Sequence, residues 1–123
     1  MKSKSALFVA LLLACSFITP AVQATVLRVV TVQTDDLGAY VKQIEQGQAL
    51  LKKLGSPAVL RVWRARFAGP DAGTVVVSVA YADMATFAAD DNKVAADPEY
   101  AAWLKGLSKI RKVVSDSLYE EQK

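Results

Sequence analysis

From residue 25 onward the hydrophobic positions follow two periods. Thr25 to Gln33 (TVLRVVTVQ) is dense in β-branched residues and ends at a turn signal, the mark of a strand. Thr34-Asp35-Asp36 then offers a capping hydroxyl or carboxylate, with acidic charge where a helix dipole is positive. Leu37, Tyr40, Val41, Ile44, Leu51 and Leu54 follow at helical spacing, while Lys42, Gln43, Glu45, Gln46, Lys52 and Lys53 take the outer positions. Gly47 weakens the middle of this helix; Gly55 followed by Ser56-Pro57 ends it.

Ala58 to Phe67 (AVLRVWRARF) and Thr74 to Tyr81 (TVVVSVAY) read as two strands. The turn residues of Ala68-Gly69-Pro70-Asp71-Ala72-Gly73 join them in a hairpin. Asp83 opens an Ala-rich helical stretch with Met84, Phe87 and Ala88 on one side and no cap before Asp90-Asp91-Asn92. Asp97-Pro98-Glu99 is a clearer start, with a cap, a proline at the first helical position and an acid in the first turn. Tyr100, Trp103, Leu104, Leu107 and Ile110 continue it, and Lys109, Arg111 and Lys112 suit the negative end of its dipole. Val113 to Glu120 (VVSDSLYE) is the last strand. The order β-α-β-β-α-β, with the second helical unit split in two, predicts an α+β domain of the ferredoxin-like layout. Its four-stranded antiparallel sheet carries helices on one face.

Such a sheet has an uncovered face, which should be polar in a monomer. The alternation does not make it so. Val75, Val77, Val79 and Tyr81 oppose Thr74, Val76, Ser78 and Ala80; Val26, Arg28, Val30 and Val32 oppose Leu27, Val29 and Thr31. In the second strand Leu60, Val62, Arg64 and Arg66 oppose Val59, Arg61, Trp63 and Phe67. An apolar sheet face marks an interface or a ligand groove, and sheet-against-sheet pairing in a two-fold homodimer is the simplest closure.

The first 24 residues change the inventory. Lys2 and Lys4 precede a 13-residue apolar stretch, Ala6 to Ile18, too short to span a bilayer; Thr19 and Pro20 break it, and Val22-Gln23-Ala24 suits a signal peptidase. The expectation is a signal peptide over 1–24, a domain over 25–123 and export to the periplasm. A lipoprotein acylated at Cys15, in Leu12-Leu13-Ala14-Cys15, is the minor alternative. With the leader gone, 13 Lys and Arg face 12 Asp and Glu, so the net charge falls from +3 to +1, and neither cysteine nor histidine remains. That excludes disulfides and cysteine zinc sites, and removes the commonest general base. No cofactor or metal is implied. Asp90-Asp91-Asn92 lacks the spacing of a calcium loop and reads as a solvated helix end. Gly69 and Gly73 precede no helix, which excludes a phosphate loop. GTVVVSVAY lacks the aromatic signature of an RNA-binding strand, so no nucleic-acid partner is expected, nor a membrane after cleavage.

The hairpin RVWRARFAGPDAGTVVVSVAYADMATFA and the helix start DPEYAAWLKGL, in which Asp97, Pro98, Glu99 and Tyr100 are followed by Trp103, carry a resemblance. Over nearly all of 25–123 the chain resembles the dimeric α/β-barrel superfamily, which includes antibiotic-biosynthesis-monooxygenase-like domains. The resemblance implies a homodimeric barrel. Family members include cofactor-independent monooxygenases, haem-degrading enzymes, decarboxylase- and isomerase-like proteins, and proteins without assigned activity. Haem-binding members typically use a histidine ligand, which this chain lacks.

Two clusters are the candidates for binding. Arg64 and Arg66 share a strand face that Arg28 joins if the pleats agree, and such a set can hold a carboxylate or phosphate by paired hydrogen bonds. The bland reading of the run with Arg61 is a charged edge strand. Trp63, Tyr81, Phe87, Tyr100 and Trp103 either line a pocket between helices and sheet or fill the core, and Tyr40 has the same two readings. Together these predict a homodimeric domain of unassigned activity that is non-catalytic or binds a small molecule, apolar or anionic. The alternative is a monooxygenase-like or isomerase-like enzyme acting through Tyr81, Tyr100, Arg64 or Asp97.

Overall fold

The computed structural model describes residues 25–123. The expected leader, its cleavage site and Cys15 lie outside these residues. The elements are β1 (Val26–Gln33), α1 (Leu37–Lys53), β2 (Val59–Arg64), a short 3-10 turn (Gly69–Asp71), β3 (Val75–Tyr81), α2 (Met84–Ala95), α3 (Pro98–Ser108) and β4 (Lys112–Glu120). The strands form one antiparallel sheet in the order β2-β3-β1-β4, with Val30 opposite both Val77 and Asp116 and Val62 opposite Val77. Each helical crossover skips one strand, which is the expected ferredoxin-like arrangement.

Among the described residues each α-helix starts on an aspartate whose side chain accepts from a backbone N–H three residues on: Asp36 from Ala39 at 2.9 Å, Asp83 from Thr86 at 2.7 Å and Asp97 from Tyr100 at 2.9 Å. Each satisfies a donor that the first helical turn leaves free. Asp83 is therefore the cap of α2, where the sequence pattern suggests a helix start without one. At the far end of α1, Gly55 adopts φ 74°, its N–H reaches the Lys52 carbonyl, and the N–H of Ser56 reaches that of Leu51. The paired bonds close the helix in a Schellman turn, which needs a residue tolerant of the left-handed region. In the hairpin, Gly73 at φ 88° donates to the Ala65 carbonyl; β2 ends at Arg64, shorter than expected, and Arg66 and Phe67 lie in the connection rather than in the strand.

The helices cover one face. Val30, Val32, Val75 and Val77 meet Tyr40 and Ile44 of α1 and Leu107 of α3; Val26 and Tyr81 meet Leu51, Ala58 and Val94. Asp90 is a correction. It sits inside α2 and is buried, accepting from Ser56 Oγ at 2.6 Å and Tyr81 Oη at 3.0 Å. The triplet Asp90-Asp91-Asn92 is thus no solvated helix end. One member ties the loop after α1 to β3 from the inside, where an unmet polar group would be costly.

Candidate functional site: a groove between the helices and the β1–β4 half of the sheet

α1 lies over the β2 half of the sheet, with α3 beside it and α2 beyond. That leaves β4 exposed along nearly its whole length and opens a groove of about 340 Å³ between α2 and α3 above and β3, β1 and β4 below. Its floor is Val30, Val77 and Val79, and Leu104 and Leu107 of α3 close the apolar side.

Tyr100 and Trp103, one helical turn apart on α3, form the aromatic wall, with ring centroids 5.4 Å apart and planes tilted by 39°. The indole Nε1–H of Trp103 donates to the Gln43 carbonyl at 2.8 Å, fixing the ring against α1. Burial pushes the Tyr100 hydroxyl above its ordinary range, so it stays protonated at neutral pH and acts as a donor rather than a base.

Four charged side chains stand at the rim. Arg28 of β1 and Asp116 of β4 are near neighbours across the strand pair, since Arg28 sits opposite Leu118 and Asp116 opposite Val30. Arg28 Nε donates to Asp116 Oδ1 at 2.9 Å and Nη2 to Oδ2 at 2.6 Å. This two-point pairing holds the guanidinium proton more tightly and lowers the Asp116 carboxyl below its ordinary range. Asp91 of α2 approaches Arg28 Nη1 to 3.7 Å. Arg111, which follows α3, differs. Its Nη1 donates to Tyr40 Oη at 3.1 Å, its Nε is buried without a partner, and it has no ion pair among the described residues.

The expected site residues separate into five places. Arg28, Tyr100 and Trp103 come together in this groove. Arg64 is on the same sheet face as Arg28, but Arg28 is level with Leu60 through Val79, four residues away along the chain and two strands across, so the three-arginine cluster does not form. Arg64 instead borders a shallow depression of about 460 Å³ beside α1, and Arg66 is exposed on the hairpin. Trp63 points to the opposite face, where its Nε1–H donates to Ser78 Oγ at 2.7 Å. Tyr81 is core: it stacks edge-on to Phe87 at 5.2 Å and gives its hydroxyl to Asp90, and burial pushes its pKa up further. Neither tyrosine supplies a base near neutrality. Arg111, Asp91 and Asp116 were missed as site residues. Asp116 had a signal, because an acid placed in phase with Arg28 on a neighbouring strand is a favourable cross-strand pair. Among the described residues no group of three or more His, Cys, Asp or Glu side chains converges to hold a metal ion.

The uncovered face carries Leu27, Val59, Trp63, Val76, Ala80 and Tyr119, with Trp63 53% and Tyr119 58% exposed. A recess of about 560 Å³ lies between Pro57, Val59, Trp63 and Ala80.

No protein-family model matches the chain, and no curated protein matches it significantly. Among solved structures, it is similar to an uncharacterized NIPSNAP domain protein from Burkholderia xenovorans, with 20% identity, a TM-score of 0.53, and coverage of 80% of this chain and 93% of that one. It is also similar to a NIPSNAP family protein from Agrobacterium tumefaciens, with 15% identity, a TM-score of 0.54, and coverage of 82% and 90%. At these identities the likeness shows the shared ferredoxin-like fold.

Proposed function

We propose that the protein is an exported, homodimeric small-molecule-binding domain whose ligand occupies the groove beneath α2 and α3. The observation that carries the reading is the make-up of that groove: an apolar valine floor, an aromatic wall fixed by a hydrogen bond to α1, and an open side along β4. Concave, mostly apolar sites with a few polar groups at one end are the ordinary form of small-molecule sites. The protonated tyrosines favour binding over proton transfer. Trp103 is a built-in reporter. In the Trp63→Phe variant, titration with 2-naphthamide should shift and quench the remaining indole emission with a saturating curve. A flat response to millimolar probe would overturn the groove as a binding site.

Dimerisation is supported by the apolar uncovered face. Trp63, Tyr119, Val59 and Leu27 form a patch of the kind that marks an interface. Light scattering of residues 25–123 should report twice the chain mass, and Leu27→Glu should halve it; a wild-type monomer at micromolar concentration would refute the pairing. Export is supported by the leader pattern of residues 1–24. The intact mass of protein recovered from its host should correspond to a chain beginning at Thr25, and an acylated chain beginning at Cys15 would replace this with membrane anchoring.

A further inference from the structure

Arg28 and Arg111 line the same groove but use their guanidinium groups differently. Arg28 presents its Nε–Nη2 edge to Asp116 and receives one carboxylate oxygen on each nitrogen, at 2.9 and 2.6 Å. Arg111 donates through Nη1 to Tyr40, its Nε is buried without a partner, and its Nη2 has no hydrogen-bond partner and is not buried. Nη2 is therefore the donor that a carboxylate in the groove can reach, in a charge-assisted hydrogen bond. A basic group is less suited beside Arg111, because it would meet a like charge.

We propose that Arg111 is the anchor for a carboxylate, and that the ligand is an amphipathic monocarboxylate whose flat or linear apolar body lies along Val30, Val79 and Leu107 against Tyr100 and Trp103. This rests on the groove reading above and assigns the chemical class to its occupant. Arg28 is not the anchor. Asp116 occupies both of its outward donors and Asp91 stands at its third nitrogen, so a ligand carboxylate would have to displace a pair already made. The pair contributes instead to a rim that is neutral or negative away from Arg111, which orients the ligand with its charged end toward Arg111 and its body toward the valines. The groove's volume of about 340 Å³ accommodates a body of one or two fused rings or a medium alkyl chain, with a single charged end.

The test compares 2-naphthoate with 2-naphthamide, which share shape and carbonyl but not charge, on the Trp63→Phe protein. A charge-assisted hydrogen bond is worth roughly tenfold to a hundredfold in affinity, so naphthoate should bind tighter by at least about tenfold. That preference should shrink as salt rises, whereas the amide affinity should not change. Arg111→Gln should remove the acid-over-amide preference together with its salt dependence; Arg111→Lys should keep a reduced preference, since the ammonium retains the charge on a differently placed donor. The salt series needs no change at Arg111 and stands even if Arg111→Gln unfolds. Equal binding of acid and amide by the Trp63→Phe protein would overturn the anchor and leave the groove reading standing. Failure of both ligands to bind would overturn the groove reading and the anchor with it.

Discussion

The indole of Trp103 lies directly on the backbone of Gly47. A Cβ on residue 47 would stand 2.5 Å from Trp103 Cε2 and 2.7 Å from Cη2, and nearer still to Cζ2. The glycine that weakens α1 locally is what lets α3 approach it, and so what places the aromatic wall of the groove.

Gly47→Ala should therefore destabilise the fold although alanine is the better helix former. Overpacking of this kind costs about 1–3 kcal/mol, against which the propensity gain of about 1 kcal/mol is smaller. Gly106→Ala, in the last turns of α3 with open space around its Cα, should raise the melting temperature. Paired thermal melts of the two variants check the opposite signs, and a red shift of Trp103 emission should accompany the first alone.

Asp90 holds two hydroxyls at once. Asp90→Ala leaves Ser56 Oγ without its acceptor and buries the Tyr81 hydroxyl unmet, a loss of about 1–3 kcal/mol. Tyr81→Phe removes one of the two donors to the carboxylate and should cost less, about 1 kcal/mol. Urea unfolding of both variants, with unchanged m-values, measures the difference.

The Arg28–Asp116 pair predicts an acid-side effect. Its carboxyl lies below the ordinary value of 3.8, so its stabilisation is complete above that value and is lost as pH falls through the lower folded-state value. Both side chains are more than a third exposed, which limits the contribution to at most about 1 kcal/mol. Carbon-detected NMR titration should place the Asp116 midpoint below 3.8 in the wild type and return it toward that value in Arg28→Gln.

The three aspartate caps should behave alike. Asp36→Ala, Asp83→Ala and Asp97→Ala each remove one bond to a first-turn amide and should each cost about 1 kcal/mol by thermal denaturation, with Asp36→Ser nearly neutral.

The layout was legible because its signals are local. Alternation set the strands and their faces, and Asp36 and Asp97 announced two helices within four residues of their caps. Asp83 was overlooked because the alanines after it carry little amphipathic pattern, although the aspartate three residues before Thr86 was there to be read. The site was less legible because it depends on distances along the sheet. Residue parity allowed Arg28 and Arg64 one face if the pleats agree, as they do, but says nothing of their separation, which the strand order sets. Trp63 and Tyr81 fall on opposite faces, although both were counted toward one aromatic pocket. Asp90 and Arg111 were hidden for another reason: a charged residue next to other charged residues looks solvated until its tertiary neighbours are known. Arg111 took the bland role of a helix-end cation, and only its unmet Nε distinguishes it.

The sheet places β1 in its interior, between β3 and β4, and joins Val26 to Glu120 and Thr25 to Glu121. The first strand of the domain to be synthesised thus receives one of its two neighbours only with the last. Closure of the sheet is a long-range event that waits for residues 112–120, so folding should be slow for a chain of this size. Until then, Val29, Thr31 and their backbone groups present an open edge to other chains. A ribosome-stalled or truncated product lacking β4 should be captured by holdase chaperones or aggregate, while the finished chain refolds alone.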